Sequence, residues 1–218
     1  MFAVTATKTD ADDPLAGLTT GERPEPEVPD GWTTVTVKAA ALNHHDLWSL
    51  KGVGLPADRL PMILGCDASG IDADGNEVIV HSVIGDPDRG GGDETLDPKR
   101  SLLSEAHPGT LAEKVAVPRR NLVPKPAGLS FDEAACLPTA WLTAYRMLFD
   151  KAALEPGSSV LVQARAAASP RPRSRWRPPP GSASTRPAAA RTSAAARRNW
   201  ARTRRWRRAR GCPSGSTR

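Results

Sequence analysis

The chain has 218 residues, with 30 Lys and Arg against 24 Asp and Glu, which is typical of one globular domain or a small pair. No run approaches the roughly 18 consecutive apolar residues of a transmembrane helix, and no basic flank followed by an apolar stretch opens the chain. Its three cysteines, Cys66, Cys136 and Cys212, are too few and too scattered for a disulfide framework or a four-thiolate zinc site. We therefore expect a cytoplasmic protein with no membrane partner.

Charge is divided unevenly along the chain. Residues 164–218 contain 16 Arg and neither acids nor Lys, which gives this stretch a net charge of +16. The first 163 residues hold the other 14 basic residues and all 24 acids, and so carry −10. The two parts need separate interpretation.

The first part mixes strand patterns with turns. Alternating or β-branched stretches predict strands at 2–7, 33–40, 77–84 and 109–117. Residues 10–30 and 85–109 are rich in Pro, Gly and acids and predict exposed loops. Several short strands in succession favour a β-barrel or sandwich.

Helices are predicted at three places. Residues 43–50 form a short helix carrying Asp46, and 141–148 form another. Ser130 precedes Glu133 by three residues, a capping box that opens a helix. Residues 160–163, which follow a turn, are typical of a buried parallel strand, after which an α/β protein needs a Gly-rich turn that does not follow here.

Six blocks in order resemble the medium-chain dehydrogenase/reductase family, in its zinc-less quinone-oxidoreductase-like branch. They are VKAAALNHHDL (37–47), LPMILGCDASG (60–70), GTLAE (109–113), AACLP (134–138), LTAY (142–145) and GSSVLVQ (157–163). The resemblance covers about three quarters of the chain and none of residues 164–218.

The resemblance implies a mainly β, GroES-like barrel domain at 1–128, followed at 129–163 by linking helices and the first strand of a truncated Rossmann domain. It implies hydride transfer between NADPH and an activated carbonyl, enone or quinone. It also implies a homodimer in intact family members.

The same resemblance addresses zinc. Zinc members have a Cys where this chain has Asn43, a His where it has Cys66, and a third ligand near Thr139. Only Cys66 ligates zinc well, and the Cys-rich structural zinc lobe is replaced by a Cys-free stretch, so we predict no zinc. The alternative is a zinc-dependent alcohol dehydrogenase with a non-standard metal site at Cys66.

Without a metal, hydrogen-bond donors must polarise the carbonyl. The resemblance places Asn43 and Thr143 near the nicotinamide as catalytic and cofactor-binding residues, with Asp46 as a third catalytic residue. Cys66 and Thr139 would line the substrate cleft.

Structural interpretations of these residues stay open. Asn43 could cap the following helix, and Thr143 could hydrogen-bond within its own helix. A proton relay through the adjacent His44 and His45 is weighed against a solvent-facing His and a structural Asp46. We also expect Cys66 and Cys136 to be buried, unreactive thiols.

Residues 164–218 cannot form a packed core, because their composition is almost entirely Arg, Ala, Pro, Ser, Gly and Thr, and we predict disorder. Arg clusters interleaved with Trp176, Trp200 and Trp206 suit a non-enzymatic nucleic-acid-binding protein, or at least nonspecific binding of polyanions.

A frameshift explains the same composition better. Codons made of G and C encode Ala, Arg, Pro and Gly, so a GC-rich gene yields such a sequence when it is translated out of frame. Asn199-Trp200-Ala201, translated one base earlier, forces Leu and Gly at the second and third codons. If a single base lost just after Gln163 is put back, the new frame encodes a Gly-rich turn, an Ala-rich helix and a second strand. We therefore predict a truncated, inactive chain.

Overall fold

The computed structural model of the protein describes residues 1–153. The chain divides into two units, Met1–Ala152 and Ala153–Arg218, of which the first contains nearly all the described residues. The strand predicted at 160–163, and the disorder predicted for 164–218, lie outside the described residues.

Ten short strands and three short α-helices make up the described residues. The strands are β1 (Phe2–Ala6), β2 (Leu18–Glu22), β3 (Trp32–Ala41), β4 (Met62–Ile63), β5 (Asp67–Asp72), β6 (Glu77–Val80), β7 (Val83–Ile84), β8 (Ser101–Leu102), β9 (Lys114–Pro118) and β10 (Leu122–Pro124). The helices are α1 (His44–Leu50), α2 (Phe131–Ala135) and α3 (Leu142–Tyr145), with π-helical turns at Leu137–Trp141 and Arg146–Lys151. Single 3-10 turns lie at Pro14–Gly17, Ala57–Arg59, Glu94–Leu96 and Arg119–Asn121.

A curled five-stranded antiparallel sheet in the order β10-β6-β5-β3-β9 forms the centre of the fold. The ten-residue β3 pairs with both β5 and β9, with a bulge between Val37 and Ala39. A smaller sheet has the order β2-β1-β4, and β7 pairs with β8. The predicted mainly β barrel is therefore confirmed for this part of the chain.

Two apolar clusters hold the sheets together. The first joins β3, β5, β6 and β9 through buried side chains that include Val35, Val80 and Val117, and Leu103 fills it from the loop after β8. The second lies under α1 and includes Leu50 and Leu64. The chain from β4 to β5 runs from the second cluster to the first, which places residues 65–67 in the protein interior.

Two predicted loops and two predicted strands need correction. The loop at 10–30 contains β2, a mostly polar edge strand that pairs with β1 through its backbone and so shows no apolar alternation. The strand at 77–84 is broken because the Asn121 side chain donates to the carbonyls of His81 and Val83, both at 2.7 Å. The loop at 85–109 contains β8, and the strand predicted to begin at 109 begins at Lys114.

The predicted capping box is confirmed. The N–H of Glu133 donates to Ser130 Oγ at 3.2 Å, and the N–H of Ser130 donates to Glu133 Oε2 at 3.0 Å. α3 occupies only the first half of the helix predicted at 141–148, within a helical run that continues through a π-helical turn to Lys151.

Candidate active site

The Asp46 side chain caps the start of α1. The N–H of Asn43 donates to Asp46 Oδ2 at 2.7 Å, and the N–H of Asp46 donates to the Asn43 carbonyl at 3.1 Å. This arrangement holds Asp46 with only 6% of its surface exposed. Its other oxygen, Oδ1, is buried and has no hydrogen-bond partner.

Gly65 turns the chain inward between β4 and β5. Its φ is +99°, and a Cβ at this position would lie 2.6 Å from Thr110 Oγ1 and 2.8 Å from the backbone nitrogen of Leu111. A side chain therefore fits neither the backbone conformation nor the space. The turn directs Cys66 and Asp67 into the interior, where they are 3% and 1% exposed.

The Asp67 carboxylate joins two of the predicted site residues. Asn43 Nδ2 donates to Asp67 Oδ2 at 3.0 Å, while Thr139 Oγ1 donates to Asp67 Oδ1 at 2.6 Å. The N–H of Thr139 also points at Asp67 Oδ2, at 3.3 Å. Asp67 thus links the start of α1 to the π-helical turn after α2, a role that sequence analysis missed.

Burial raises the pKa of the Asp67 carboxyl above its ordinary value. The hydrogen bonds from Thr139 and Asn43 lower that pKa, and the nearby charge of Asp46 raises it. The net direction is upward because the carboxyl is removed from water and none of the Lys or Arg side chains in residues 1–153 offsets the loss.

Cys66, His45 and Glu105 form a chain of polar contacts. Cys66 Sγ lies 3.1 Å from His45 Nδ1, and His45 Nε2 lies 2.8 Å from Glu105 Oε1. The thiol also points at the Leu103 carbonyl at 3.6 Å. Burial, followed by the charges of Asp46, Asp67 and Glu105, raises the pKa of the Cys66 thiol far above its ordinary value.

A cavity of about 220 Å³ opens beside these residues. Of the predicted site residues, Cys66, Thr139 and Thr143 line it, whereas Asn43 and Asp46 do not. The prediction missed other residues that line the cavity: His45, His81, Ser82, Thr95 and Arg146 from the polar side, and Val83, Leu102, Pro138 and Leu142 from the apolar side.

The two neighbouring histidines have different environments. His44 is exposed, while His45 is half-buried and contacts Cys66 and Glu105. A doublet of identical residues carries no signal to distinguish them, since only the course of α1 decides which side chain turns inward. Cys66 is buried as predicted, but Cys136, the residue that caps the C-terminus of α2, is exposed.

Among the three positions that hold zinc in the zinc members, only Cys66 carries a strong metal ligand. The side chains of Asn43 and Thr139 both donate hydrogen bonds to Asp67. A different set of donor atoms converges beside them. His45, Asp46 and Cys66 each offer one ligand atom, and these atoms all lie within 4.8 Å of one another.

Comparison with known proteins defines the class of this domain. Residues 29–127 match the alcohol dehydrogenase GroES-like domain. The proteins that resemble this chain in sequence and structure are members of the medium-chain dehydrogenase/reductase family.

Three similar proteins illustrate the breadth of that family. A crystal structure of an NAD-dependent alcohol dehydrogenase is 38% identical with a TM-score of 0.65, over 72% of this chain and 49% of that one. The crotonyl-CoA carboxylase/reductase of Cereibacter sphaeroides is 33% identical over 63% of this chain and 36% of its own length. The synaptic vesicle membrane protein VAT-1 homolog of Danio rerio is 39% identical over 63% of this chain and 26% of its own. The chain spans half or less of each of these proteins.

Within residues 1–153, none of the helices has both the length and the apolar character needed to cross a membrane.

Proposed function

We propose that this chain derives from an NADPH-dependent oxidoreductase of the quinone- or enone-reductase-like type, which transfers a hydride to an activated carbonyl or alkene. The observation that best supports this proposal is the cavity beside Cys66. The cavity lies between the matched alcohol dehydrogenase GroES-like domain, which contributes Cys66, and the helical turns after it, which contribute Thr139 and Thr143. One of the relatives is named as a reductase of crotonyl-CoA, which is consistent with reduction of an activated alkene.

The cavity lining suits such a substrate. Val83, Leu102 and Leu142 offer an apolar wall for a carbon skeleton, and Thr139 and Thr143 line the same cavity. In our proposal, NADPH supplies the hydride when bound. The exposed Thr143 hydroxyl donates a hydrogen bond to the substrate oxygen as that oxygen gains negative charge.

Asn43, Asp46 and Asp67 have a supporting role in this proposal. Asp46 fixes the Asn43 backbone, and Asp67 holds the Asn43 amide and the Thr139 hydroxyl in place. The amide then lies where the resemblance puts a group close to the nicotinamide. The proposed reaction needs no metal at residues 43, 66 and 139, because hydrogen-bond donors replace the Lewis acid.

We propose the domain boundaries that the sequence predicts. Residues 1–128 are the GroES-like domain, 129–163 begin the Rossmann domain, and 164–218 come from a shifted reading frame. The pyrophosphate of a dinucleotide needs a Gly-rich turn at a helix N-terminus, and Gln163 is followed instead by Ala164-Arg165-Ala166. We therefore propose that this chain neither binds NADPH tightly nor turns over.

Resequencing the source DNA across the codons for residues 160–175, together with the intact mass of the expressed chain, tests the frameshift. NADPH fluorescence titrations of the 218-residue chain and of a chain with the restored frame then test the function. We expect saturable binding only in the restored chain. Saturable binding by the 218-residue chain would contradict its proposed inactivity, and failure of the folded, restored chain to bind NADPH would contradict the oxidoreductase proposal.

A further inference from the structure

Three donor atoms of different chemistry meet beside the cavity. They are an imidazole nitrogen of His45, a carboxylate oxygen of Asp46 and the thiol sulfur of Cys66. Nitrogen, oxygen and sulfur donors from His, Asp and Cys are the ligands that zinc uses in proteins. Asp46 and Cys66 are both more than nine-tenths buried, so water does not compete freely for them.

The unpartnered oxygen of Asp46 is independent support for a bound cation. Asp46 Oδ2 is occupied by the N–H of Asn43, but the buried Oδ1 has no hydrogen-bond partner. A buried carboxylate oxygen without a partner costs free energy comparable to the desolvation of a charged group. A cation between Asp46, His45 and Cys66 would remove that cost.

Glu105 prepares His45 for metal binding. Its carboxylate lies 2.8 Å from Nε2, so Nε2 carries the proton and Nδ1 presents a lone pair toward Cys66. Metal-bound histidines usually donate their second ring N–H to a carboxylate or carbonyl in this way. The exposed His44 lacks any such partner among the described residues.

The local charge also favours a cation. Asp46 and Asp67 are buried beside Cys66, and Glu105 contacts the same imidazole ring as the thiol does. Within residues 1–153, none of these three carboxylates forms an ion pair with Lys or Arg, and His45 is the one basic partner of Glu105. These three carboxylates therefore place negative charge around Cys66 that no Lys or Arg side chain in residues 1–153 neutralises.

We propose that His45 Nδ1, Asp46 Oδ1 and Cys66 Sγ bind one divalent metal ion of the zinc class, with a fourth coordination position open toward the cavity. The prediction of no zinc concerned a different set of positions, namely 43, 66 and 139. The two sets have only Cys66 in common. Zinc bonds of 2.0–2.3 Å in a tetrahedron separate the ligand atoms by about 3.3–3.8 Å. Donor atoms within 4.8 Å of one another reach this spacing by side-chain rotation. Binding converts the thiol to a metal-bound thiolate and releases its proton to solvent.

This proposal goes beyond the proposed function, because it concerns the 218-residue chain itself and needs no nicotinamide. The test is a titration of the metal-stripped chain with Co²⁺, which reports thiolate ligation by a near-ultraviolet charge-transfer band, and with Zn²⁺ in competition. We expect one ion per chain, a band that Zn²⁺ abolishes, and release of about one proton per Zn²⁺ at neutral pH.

Matched variants locate the site. Cys66→Ser should remove the band, and Cys136→Ser, which changes the exposed thiol, should keep it. Glu105→Gln should weaken binding by about 10- to 100-fold, as is usual for a residue that orients a ligating histidine. Glu94→Gln is its control, since Glu94 lies 3.0 Å from His81, which lines the cavity but contributes no donor atom to the proposed site.

Two outcomes that concern the charge-transfer band would overturn the proposal. One is the absence of the band at one equivalent of Co²⁺ in a chain whose circular dichroism shows it to be folded. The other is a band that persists in Cys66→Ser, which would assign the thiolate to Cys136 or Cys212. Asp46→Asn keeps an acceptor for the helix cap while removing the charge, so an unchanged affinity in that folded variant would also contradict the proposed ligand set.

Discussion

The segment at residues 85–109 and the cleft beside Cys66 each bury an aspartate, and the two carboxyl groups behave in opposite ways. Asp97, in the segment, accepts hydrogen bonds from Arg89 Nη2 at 2.7 Å and Nε at 3.0 Å, and from the N–H groups of Asp86 and Lys99 at 2.8 Å. These bonds hold its pKa far below the ordinary value. Asp67, in the cleft, has neutral donors alone, and burial raises its pKa.

The two regions differ in whether a cationic side chain accompanies the buried carboxylate. The segment replaces the Cys-rich zinc lobe that the family resemblance leads one to expect, and an Arg–Asp pair now organises its backbone. The cleft gathers Asp46, Asp67 and Glu105 without a Lys or Arg partner among the described residues. One region has its cation built into the sequence, and our account holds that the other takes its cation from solution.

We expect the stability of the segment to depend more on the packing of Leu103 than on the Arg89–Asp97 ion pair. Leu103, fully buried in the main apolar cluster, ties the end of the segment to the sheet. Leu103→Ala should lower the free energy of unfolding by about 2–5 kcal/mol, because it removes buried surface and leaves a cavity. Urea unfolding measures the change.

Leu96→Ala in the same segment is the control, since Leu96 is 55% exposed. It should cost less than about 0.5 kcal/mol. Equal losses in the two variants would mean that Leu103 does not anchor the segment.

A smaller effect is expected from Asp97→Asn, which removes the charge that Arg89 and two backbone N–H groups contact. Because the folded-state pKa of Asp97 lies below the unfolded value of 3.8, its stabilisation is present above pH 4 and is lost as pH falls further. The stability difference between wild type and variant should therefore shrink on acidification. Asp88→Asn, at an exposed acid of the same segment, should leave stability nearly unchanged at every pH.

The smallest and most diagnostic effect is expected from Asp67→Asn, measured across the same pH series. The folded-state pKa of Asp67 is raised, so the folded state holds its proton more tightly and wild-type stability falls as pH rises through that pKa. The variant should lose this decline, which has the opposite sign to the Asp97 effect. The comparison would be refuted if the stability difference between wild type and variant changed with pH in the same direction for Asp97→Asn and Asp67→Asn.

The sequence predicted what depends on neighbours along the chain. The alternation at 33–40 predicted β3, and Ser130 with Glu133 predicted the start of α2. β2 escaped prediction because a polar edge strand has no apolar alternation, and β5 did so because Ser69-Gly70 resembles a turn.

The candidate site was only partly predictable. The resemblance named Cys66 and Thr139, but the partners that define their environment are distant in sequence. Cys66 meets Glu105 through His45, and Asp67 meets Thr139 across 72 positions. No local spacing distinguishes Asp97 from the other acids of its segment, because its role depends on burial.

The most direct test of the central claim is the anomalous scattering of crystals of the 218-residue chain grown with Zn²⁺. Our account predicts one strong peak at about 2.0–2.3 Å from Cys66 Sγ, His45 Nδ1 and Asp46 Oδ1, with no comparable peak in the segment at 85–109. A zinc ion bound among the acids of that segment, with the cleft empty, would contradict it.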